Sequence, residues 1–236
     1  MKEGFSKLNK SEKIDWVINN FFNSSKTDSE LLKKYWSNDD ELQKIHDEFS
    51  ENTISNFFLP LGIAPNFIID KNNYTIPMAT EESSVVAAAC KSAKFWSKRG
   101  GFKTEIIDVI KSGQVHFKYD GSKEKIFKFF KQIKKRLISD CTEINKNMKK
   151  RGGGILDIEL IDKTSDIENY YQISSWFNTV DSMGANFINS CLEQYAKTFE
   201  TEFLNSRFFE KDEKLEIIMS ILSNYVPECL VRAEVR

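Results

Sequence analysis

The sequence predicts an α+β fold in which a helical N-terminal region is followed by a mixed, strand-rich region. Apolar residues recur at helical spacing between residues 9 and 49. From about Thr104, strictly alternating segments are interleaved with two long helical patterns. Between the two regions lies a run of small residues that predicts a central buried helix, because other backbone can approach such a helix closely.

Three helices are predicted in the N-terminal region. Residues 9–22 place Ile, Trp, Val and Phe side chains on one broad helical face, and Asn9 or Ser11 is available as the N-cap. Residues 27–36 and 38–49 form two shorter amphipathic patterns, each opened by Thr or Asp. The helical period then disappears, and β-branched residues around Asp, Asn and Lys predict strands at 67–69 and 74–77.

The central helix is predicted to begin at Thr80, a good N-cap, with Glu81 and Glu82 in its first turn. Ala87 to Ala89 give the helix little bulk, and Gly100-Gly101 can end it with a left-handed residue. Acidic pairs at this position are usually a solvated first turn that the helix dipole favours. A catalytic carboxylate is the alternative interpretation of Glu82.

The second region predicts strands and helices in the order β-α-β-β-α-β, which is typical of a ferredoxin-like split βαβ unit. The predicted strands are 106–110 and 113–117 (around Lys111-Ser112-Gly113), 155–161, 170–179 and 216–222, and the predicted helices are 123–145 and 184–203.

Composition excludes several classes of protein. The chain has 236 residues, 34 of them basic and 35 acidic, so its net charge of −1 gives no reason to expect nucleic acid or an anionic membrane as a partner. It shows no apolar run of roughly 20 residues and no signal peptide, so we expect a cytoplasmic protein. The four cysteines are far apart in apolar contexts, which predicts reduced core thiols and no metal site.

Two loops are candidate anion sites. Asp181, Met183, Gly184, Ala185 and Asn186 stand where a strand becomes a helix, so free backbone N–H groups could meet a pyrophosphate, although an ordinary N-cap is the plainer interpretation. Lys146 opens a basic cluster that ends at Arg151, just before three glycines. A solvated basic turn is the plainer interpretation of that cluster.

Five segments of the chain resemble the soluble, bacterial-type (class II) hydroxymethylglutaryl-CoA reductases. The segments are residues 51–54, 59–67, 77–85, 151–154 and 181–186. The resemblance covers nearly the whole chain but only the N-terminal part of a family member. It implies a large, dimerising, substrate-binding domain over 1–103, an inserted ferredoxin-like, dinucleotide-binding small domain over 104–222, and a return into the large domain over 223–236.

The resemblance also implies an activity and its residues. Glu82 corresponds to the catalytic glutamate, and Glu51, Asn52, Ser84 and Asn224 to substrate-binding positions. The implied reaction uses two hydrides from NAD(P)H to reduce hydroxymethylglutaryl-CoA to mevalonate and coenzyme A, or runs in reverse, in a homodimer or higher homo-oligomer. Glu82 would be the general acid, which requires a pKa raised by desolvation.

The resemblance assigns the dinucleotide motif to Asp181, Met183, Gly184, Ala185 and Asn186. Members that use NADH tend to carry an acidic residue just before the glycine run, whereas this chain has Asn145 followed by Lys146 and the rest of the basic cluster. We therefore expect NADPH, with NADH as the alternative.

The family also needs a lysine, an aspartate and a histidine from motifs that these residues do not contain. The two histidines, His46 and His116, lie outside such a motif. We therefore expect the 236 residues alone to be essentially inactive. Two other functions stay open: a non-catalytic module that binds a nucleotide or CoA, and an oligomerisation domain.

Overall fold

The computed structural model describes residues 4–22 and 26–235. The chain forms two compact units that divide between Phe102 and Lys103.

Three short helices open the first unit, each within two residues of its predicted bounds. They are α1 (Lys10–Phe21), α2 (Lys26–Lys34) and α3 (Asp40–Glu48). Helix α1 begins with a capping box, in which the side chain of Asn9 accepts from the Glu12 N–H (2.9 Å) and the side chain of Glu12 accepts from the Asn9 N–H (2.8 Å). Ile14 and Ile18 form its buried stripe.

A β-hairpin follows, formed by β1 (Leu61–Ile69) and β2 (Asn72–Ala79) in antiparallel pairing. Its two-residue turn has positive φ at both Asp70 (48°) and Lys71 (71°), which matches the twist of the flanking strands. The predicted strands 67–69 and 74–77 are therefore confirmed, and each strand extends beyond its predicted segment. Helix α4 (Val85–Ser97) packs on β1.

The prediction that Thr80 caps the central helix is wrong. Thr80 (φ 62°) and Ser84 (φ 78°) are left-handed, so the chain turns twice before the helix begins at Val85. Glu81 and Glu82 therefore lie in the preceding turn and not in the first helical turn. In this chain α4 is covered on one side, where Ala93 is buried, while Ala87 and Ala88 are exposed on the other.

The second unit has the predicted α+β order. Its elements are β3 (Lys103–Tyr119), α5 (Lys123–Asp140), α6 (Thr142–Lys150), β4 (Gly154–Asp162), β5 (Tyr170–Asn178), α7 (Ala185–Asn205), β6 (Leu215–Leu222) and β7 (Cys229–Glu234). The sheet order is β4-β5-β3-β6 with every neighbouring pair antiparallel, so β5 lies between the two strands of the first β-α-β segment. This is the strand arrangement of a split βαβ unit.

The core of this unit lies between the sheet and helices α5 and α7. Alternate residues of β3, including Val115 and Phe117, face it. The ring of Phe117 lies 5.0 Å from that of Phe199 on α7, and Phe129 on α5 lies 5.5 Å from the same ring. These aromatic contacts join both helices to the central strand of the sheet.

Two elements of the second unit differ from their predictions. The segments 106–110 and 113–117 form one strand of 17 residues, whose first half pairs with β7 and whose second half pairs with β5 and β6. The predicted helix 123–145 is divided at Cys141 (φ −90°, ψ 6°), whose buried thiol donates to the Cys191 carbonyl (3.6 Å).

Cys141 and Cys191 are buried, as predicted for core thiols, and both are free. The prediction is wrong for Cys229, which is exposed because the whole of β7 is exposed. Within the described ranges 4–22 and 26–235, none of the helices combines the length and apolar character that crossing a membrane requires.

Candidate functional site

The loop between β5 and α7 carries most of the predicted binding residues and is held by its own hydrogen bonds. The Thr179 carbonyl accepts from the Ser182 N–H (3.1 Å) and the Ser182 hydroxyl (2.8 Å), and the side chain of Asn178 accepts from the Val180 N–H (2.8 Å). Val180 has φ 55°, which is rare for a β-branched residue. The loop therefore has a defined and strained shape.

Gly184 is required by the geometry of this loop. It has φ 75°, and a Cβ atom added to it would lie 2.3 Å from Cγ2 of the buried Thr179. Its carbonyl accepts the first helical bond of α7, from the Ile188 N–H (2.9 Å). The N–H groups of the first turn of α7 have no partner within the helix, so the loop presents partial positive charge to its surroundings.

Lys111 of β3 reaches the same loop, a role that the sequence does not predict. Its ammonium donates to Thr179 Oγ1 (3.0 Å) and to the Ser182 carbonyl (2.6 Å). The sequence pattern places Lys111 in a turn, and no periodicity links it to a loop about 70 residues away. Its position is a consequence of the pairing of β3 with β5.

A groove of about 330 Å³ brings the two candidate anion loops together. Asn178, Val180 and Asp181 line one side of it, and Arg151 and Gly152 of the turn after α6 line another. The turn can lie so close because Gly153 has no side chain: a Cβ there would lie 2.4 Å from the Asn178 carbonyl. Ile106 and Val109 of β3 add an apolar wall.

Of the predicted cofactor residues, Asp181 lines this groove, and Met183, Gly184, Ala185 and Asn186 follow it in the loop and in the first residues of α7. Asp181, Met183 and Asn186 are exposed, while Gly184 and Ala185 are half-buried. Lys146 is exposed on α6, forms an ion pair with Glu143 (3.1 Å) and is not among the groove residues. Arg151, the last residue of the basic cluster, does line the groove.

Asn145 is buried, and its Oδ1 atom has no hydrogen-bond partner within the described structure. A Cβ on Gly154 would lie 2.7 Å from that atom, so the side chain fills space beneath the glycine run. Residue 145 therefore does not lie on the groove surface. Its side chain has no direct contact with the groove through which it could select NADPH or NADH.

In the first unit, the predicted catalytic residue Glu82 and the predicted substrate residues Glu51, Asn52 and Ser84 are all exposed, in or beside turns. Ser84 is the N-cap of α4, and its carbonyl accepts from the Ala88 N–H (2.8 Å). The carbonyl of Glu82 accepts from the Val85 N–H (3.4 Å), and Glu82 is exposed.

Asn224, the remaining substrate residue, is exposed in the connection between β6 and β7 of the second unit. The neighbouring Ser223 N–H donates to the Ser112 carbonyl (2.9 Å), which holds this connection against β3.

His116 lies away from the groove. It alternates along β3 with the buried Val115 and Phe117, so it is on the opposite face of the sheet from the helices. Its Nδ1 atom lies 2.8 Å from the Tyr170 hydroxyl, and burial lowers the pKa of the imidazole below its usual value of 6.5. His116 therefore belongs to the sheet and is not a candidate acid of the groove.

The sequence matches the family model described as hydroxymethylglutaryl-coenzyme A reductase over residues 11–236. It is 33% identical over 191 residues to the 3-hydroxy-3-methylglutaryl-coenzyme A reductase of Archaeoglobus fulgidus, a match that covers 80% of this chain and 41% of the relative. It is 29% identical over 185 residues to a probable reductase of the same name from Borreliella burgdorferi, covering 78% and 39%.

Solved structures give the same result. The chain matches a 3-hydroxy-3-methylglutaryl-coenzyme A reductase from Streptococcus pneumoniae with a TM-score of 0.67 and 27% identity, covering 98% of this chain and 51% of that one. A second match, with a TM-score of 0.66 and 26% identity, is the class II reductase of that organism bound to NADPH in open conformations, covering 98% and 58%. The chain thus spans about two fifths of these curated relatives and just over half of these structures.

Proposed function

The chain belongs to the hydroxymethylglutaryl-coenzyme A reductase family, and we propose that it supplies the cofactor-binding and substrate-binding parts of an NADPH-dependent reductase. The reaction is the reduction of hydroxymethylglutaryl-CoA to mevalonate and coenzyme A, or its reverse. The observation that supports this most directly is the shared groove: the loop that carries Asp181 and the turn that carries Arg151 line one cavity.

The groove and the start of α7, which follows Asp181 along the chain, together suit a dinucleotide. Gly184 and the first-turn N–H groups of α7 suit the negative charge of a pyrophosphate, and the ammonium of Lys111 lies behind the same loop. Asp181, Met183, Ala185 and Asn186 would contact the cofactor around this point. When bound, NADPH supplies the hydride, and the protein residues hold and orient it.

The preference for NADPH over NADH rests on the end of α6. Lys149 and Lys150 lie in its last turn, and Arg151 follows at the groove. An arginine can bind a 2′-phosphate through two hydrogen bonds, which suits Arg151 for that role better than the more distant Lys146. A ribose hydroxyl without the phosphate would leave this guanidinium unpaired.

In the first unit we assign the general acid to Glu82 and contacts with hydroxymethylglutaryl-CoA to Glu51, Asn52 and Ser84, with Asn224 as a further contact from the second unit. Glu82 is exposed here, so the groups that would enclose it in the complete active site are the bound substrate and residues outside this chain.

The domain roles follow the same proposal: 1–103 for substrate and dimerisation, 104–222 for the dinucleotide, and 223–236 for the return to the larger domain. We infer that the oxyanion-stabilising lysine, its aspartate and the histidine that protonates the CoA thiolate are supplied by residues outside these 236. The chain alone is then essentially inactive, and the complete enzyme is a cytoplasmic homodimer or higher homo-oligomer.

Titration of this chain with NADPH, followed by nicotinamide fluorescence, tests the cofactor proposal. We expect saturable binding that is tighter than NADH binding and is weakened by Asp181→Ala. Asp212→Ala, an exposed aspartate in another loop, is the matched control and should bind like the parent. Failure of the parent to bind either cofactor would contradict the proposal.

The catalytic proposal is tested by oxidation of mevalonate with CoA and NADP⁺. We expect no turnover by this chain alone, and turnover by a longer protein that adds the lysine, aspartate and histidine segment of a relative, lost on Glu82→Gln. NADPH binding without turnover in the longer protein would instead support a non-catalytic binding module.

A further inference from the structure

Lys111 is a half-buried lysine whose ammonium contacts uncharged oxygen atoms. Its two hydrogen-bond acceptors are a hydroxyl, Thr179 Oγ1, and a backbone carbonyl, that of Ser182. Among residues 4–22 and 26–235, no carboxylate lies within ion-pair distance of it. Partial burial disfavours an ammonium group that has no counter-ion. The position of the Lys111 ammonium therefore points to a role in the loop that it contacts.

The hydrogen bonds of Lys111 close a small ring with the loop. Thr179 Oγ1 accepts from the lysine and donates to the Ser182 carbonyl (2.7 Å), which also accepts from the lysine (2.6 Å). The ring therefore fixes both ends of the 179–182 turn relative to β3. The residue inside the turn, Val180, is the one held in a left-handed conformation.

This turn leads directly to the start of α7. Residues 180 and 181 line the groove, and Gly184 follows with its carbonyl bonded into the helix. If the ring opened, the strained Val180 could relax to an extended conformation, and Asp181 and the helix N-terminus would lose their relative positions. The lysine thus acts on the groove through the loop.

The charge of Lys111 adds to the same effect. The N-terminus of α7 carries partial positive charge, and the ammonium reinforces it instead of neutralising it. Two positive features at one loop favour a ligand with an anionic group, such as a pyrophosphate.

We propose that Lys111 is a positioning residue for cofactor binding, which holds the 179–184 loop in its binding conformation and favours the anionic part of the dinucleotide. This inference rests on the proposed function of the groove. Lys111 lies on β3, whereas the binding loop connects β5 to α7.

The test compares NADPH affinity of the parent with those of Lys111→Met, Lys111→Arg and Lys118→Met. The Met variant at 111 removes two charged hydrogen bonds, and we expect its affinity to fall about tenfold or more. The Arg variant keeps charge and donors and should recover most of the affinity. Lys118 is exposed on the same strand, so Lys118→Met should bind like the parent.

Amide hydrogen exchange of residues 180–184 without cofactor separates the proposed role of Lys111 from the proposed function of the groove. We expect faster exchange in Lys111→Met than in Lys118→Met. If the parent binds no NADPH but exchange still rises, the proposed function is overturned and the loop-fixing role is retained. If Lys111→Met is folded, exchanges like the parent and binds NADPH equally, the role of Lys111 is overturned.

Discussion

Replacing Gly184 by alanine should disturb the cofactor loop more than the same change at Gly152 of the other candidate loop. The added Cβ would lie 2.3 Å from Thr179 Cγ2 and 2.8 Å from Thr179 Cβ, and Thr179 is fully buried. The residue would also have to adopt φ 75°, which an L-residue with a Cβ disfavours. Gly152 provides the matched control, because it has φ 88° and a Cβ added to it would meet nothing within 4 Å.

Comparing the two variants separates the cost of the left-handed backbone from the cost of overlap with Thr179. A left-handed alanine costs about 1 kcal/mol, which is the whole cost expected for Gly152→Ala. Overlap in a packed site adds about 2 kcal/mol, so Gly184→Ala should lower the free energy of unfolding by about 3 kcal/mol. Thr179→Ser deletes the overlapping methyl group and should recover part of that loss in the Gly184→Ala background.

Urea unfolding followed by circular dichroism measures these differences, and NADPH titration of the folded variants measures the effect on binding. We expect Gly184→Ala to weaken NADPH binding even at temperatures where it is fully folded. Equal free energies of unfolding for Gly184→Ala and Gly152→Ala would refute the argument that overlap with Thr179 requires glycine at position 184.

Three further predictions concern the second unit. Hydrogen bonds from Lys123 and Thr164 lower the pKa of Asp162 to about 2, so Asp162→Asn should be less stable than the parent at pH 6, and the difference should vanish as the pH falls from about 4 towards 2. Burial lowers the pKa of His116, so the midpoint of its NMR titration should lie below 6.5, and its protonation should destabilise the fold as the pH falls below that value. Phe199→Ala should cost about 3–5 kcal/mol in urea unfolding, because Phe199 is fully buried between two helices and the sheet.

Periodicity predicts the elements of this chain well because most of them have one apolar face. The alternation from Asp157 to Leu160 and the helical stripe after Lys123 follow from burial on one side of each element. Leu156, predicted on the same face as Ile158, is instead exposed beside a β-bulge. The order of those elements then predicts the split βαβ arrangement, which the pairing of β3 with β5 and β6 confirms.

The errors arise where a local signal has a different cause. Gly113 suggests a turn, but it lies inside β3. A larger residue is disfavoured there because an added Cβ would lie 2.6 Å from Leu192 on α7. Thr80 has the right chemistry for a cap, yet its left-handed backbone places the helix start five residues later. Cys141 continues the apolar stripe, so the sequence pattern does not reveal the break after α5.

The candidate site is predictable in part. The motif at 181–186 is recognisable by resemblance, and Arg151 stands out by its place beside the glycine run. The contribution of Lys111 depends on strand register and is not visible in the sequence, because a single lysine in a strand carries no signal of what its ammonium reaches.

NADPH binding in the groove of the second unit is tested by mapping amide chemical shifts during an NADPH titration of the ¹⁵N-labelled chain. We expect the largest changes on residues 151–153 and 179–187, with small changes on α1 to α3. Changes concentrated elsewhere, or no changes at saturating NADPH, would contradict it.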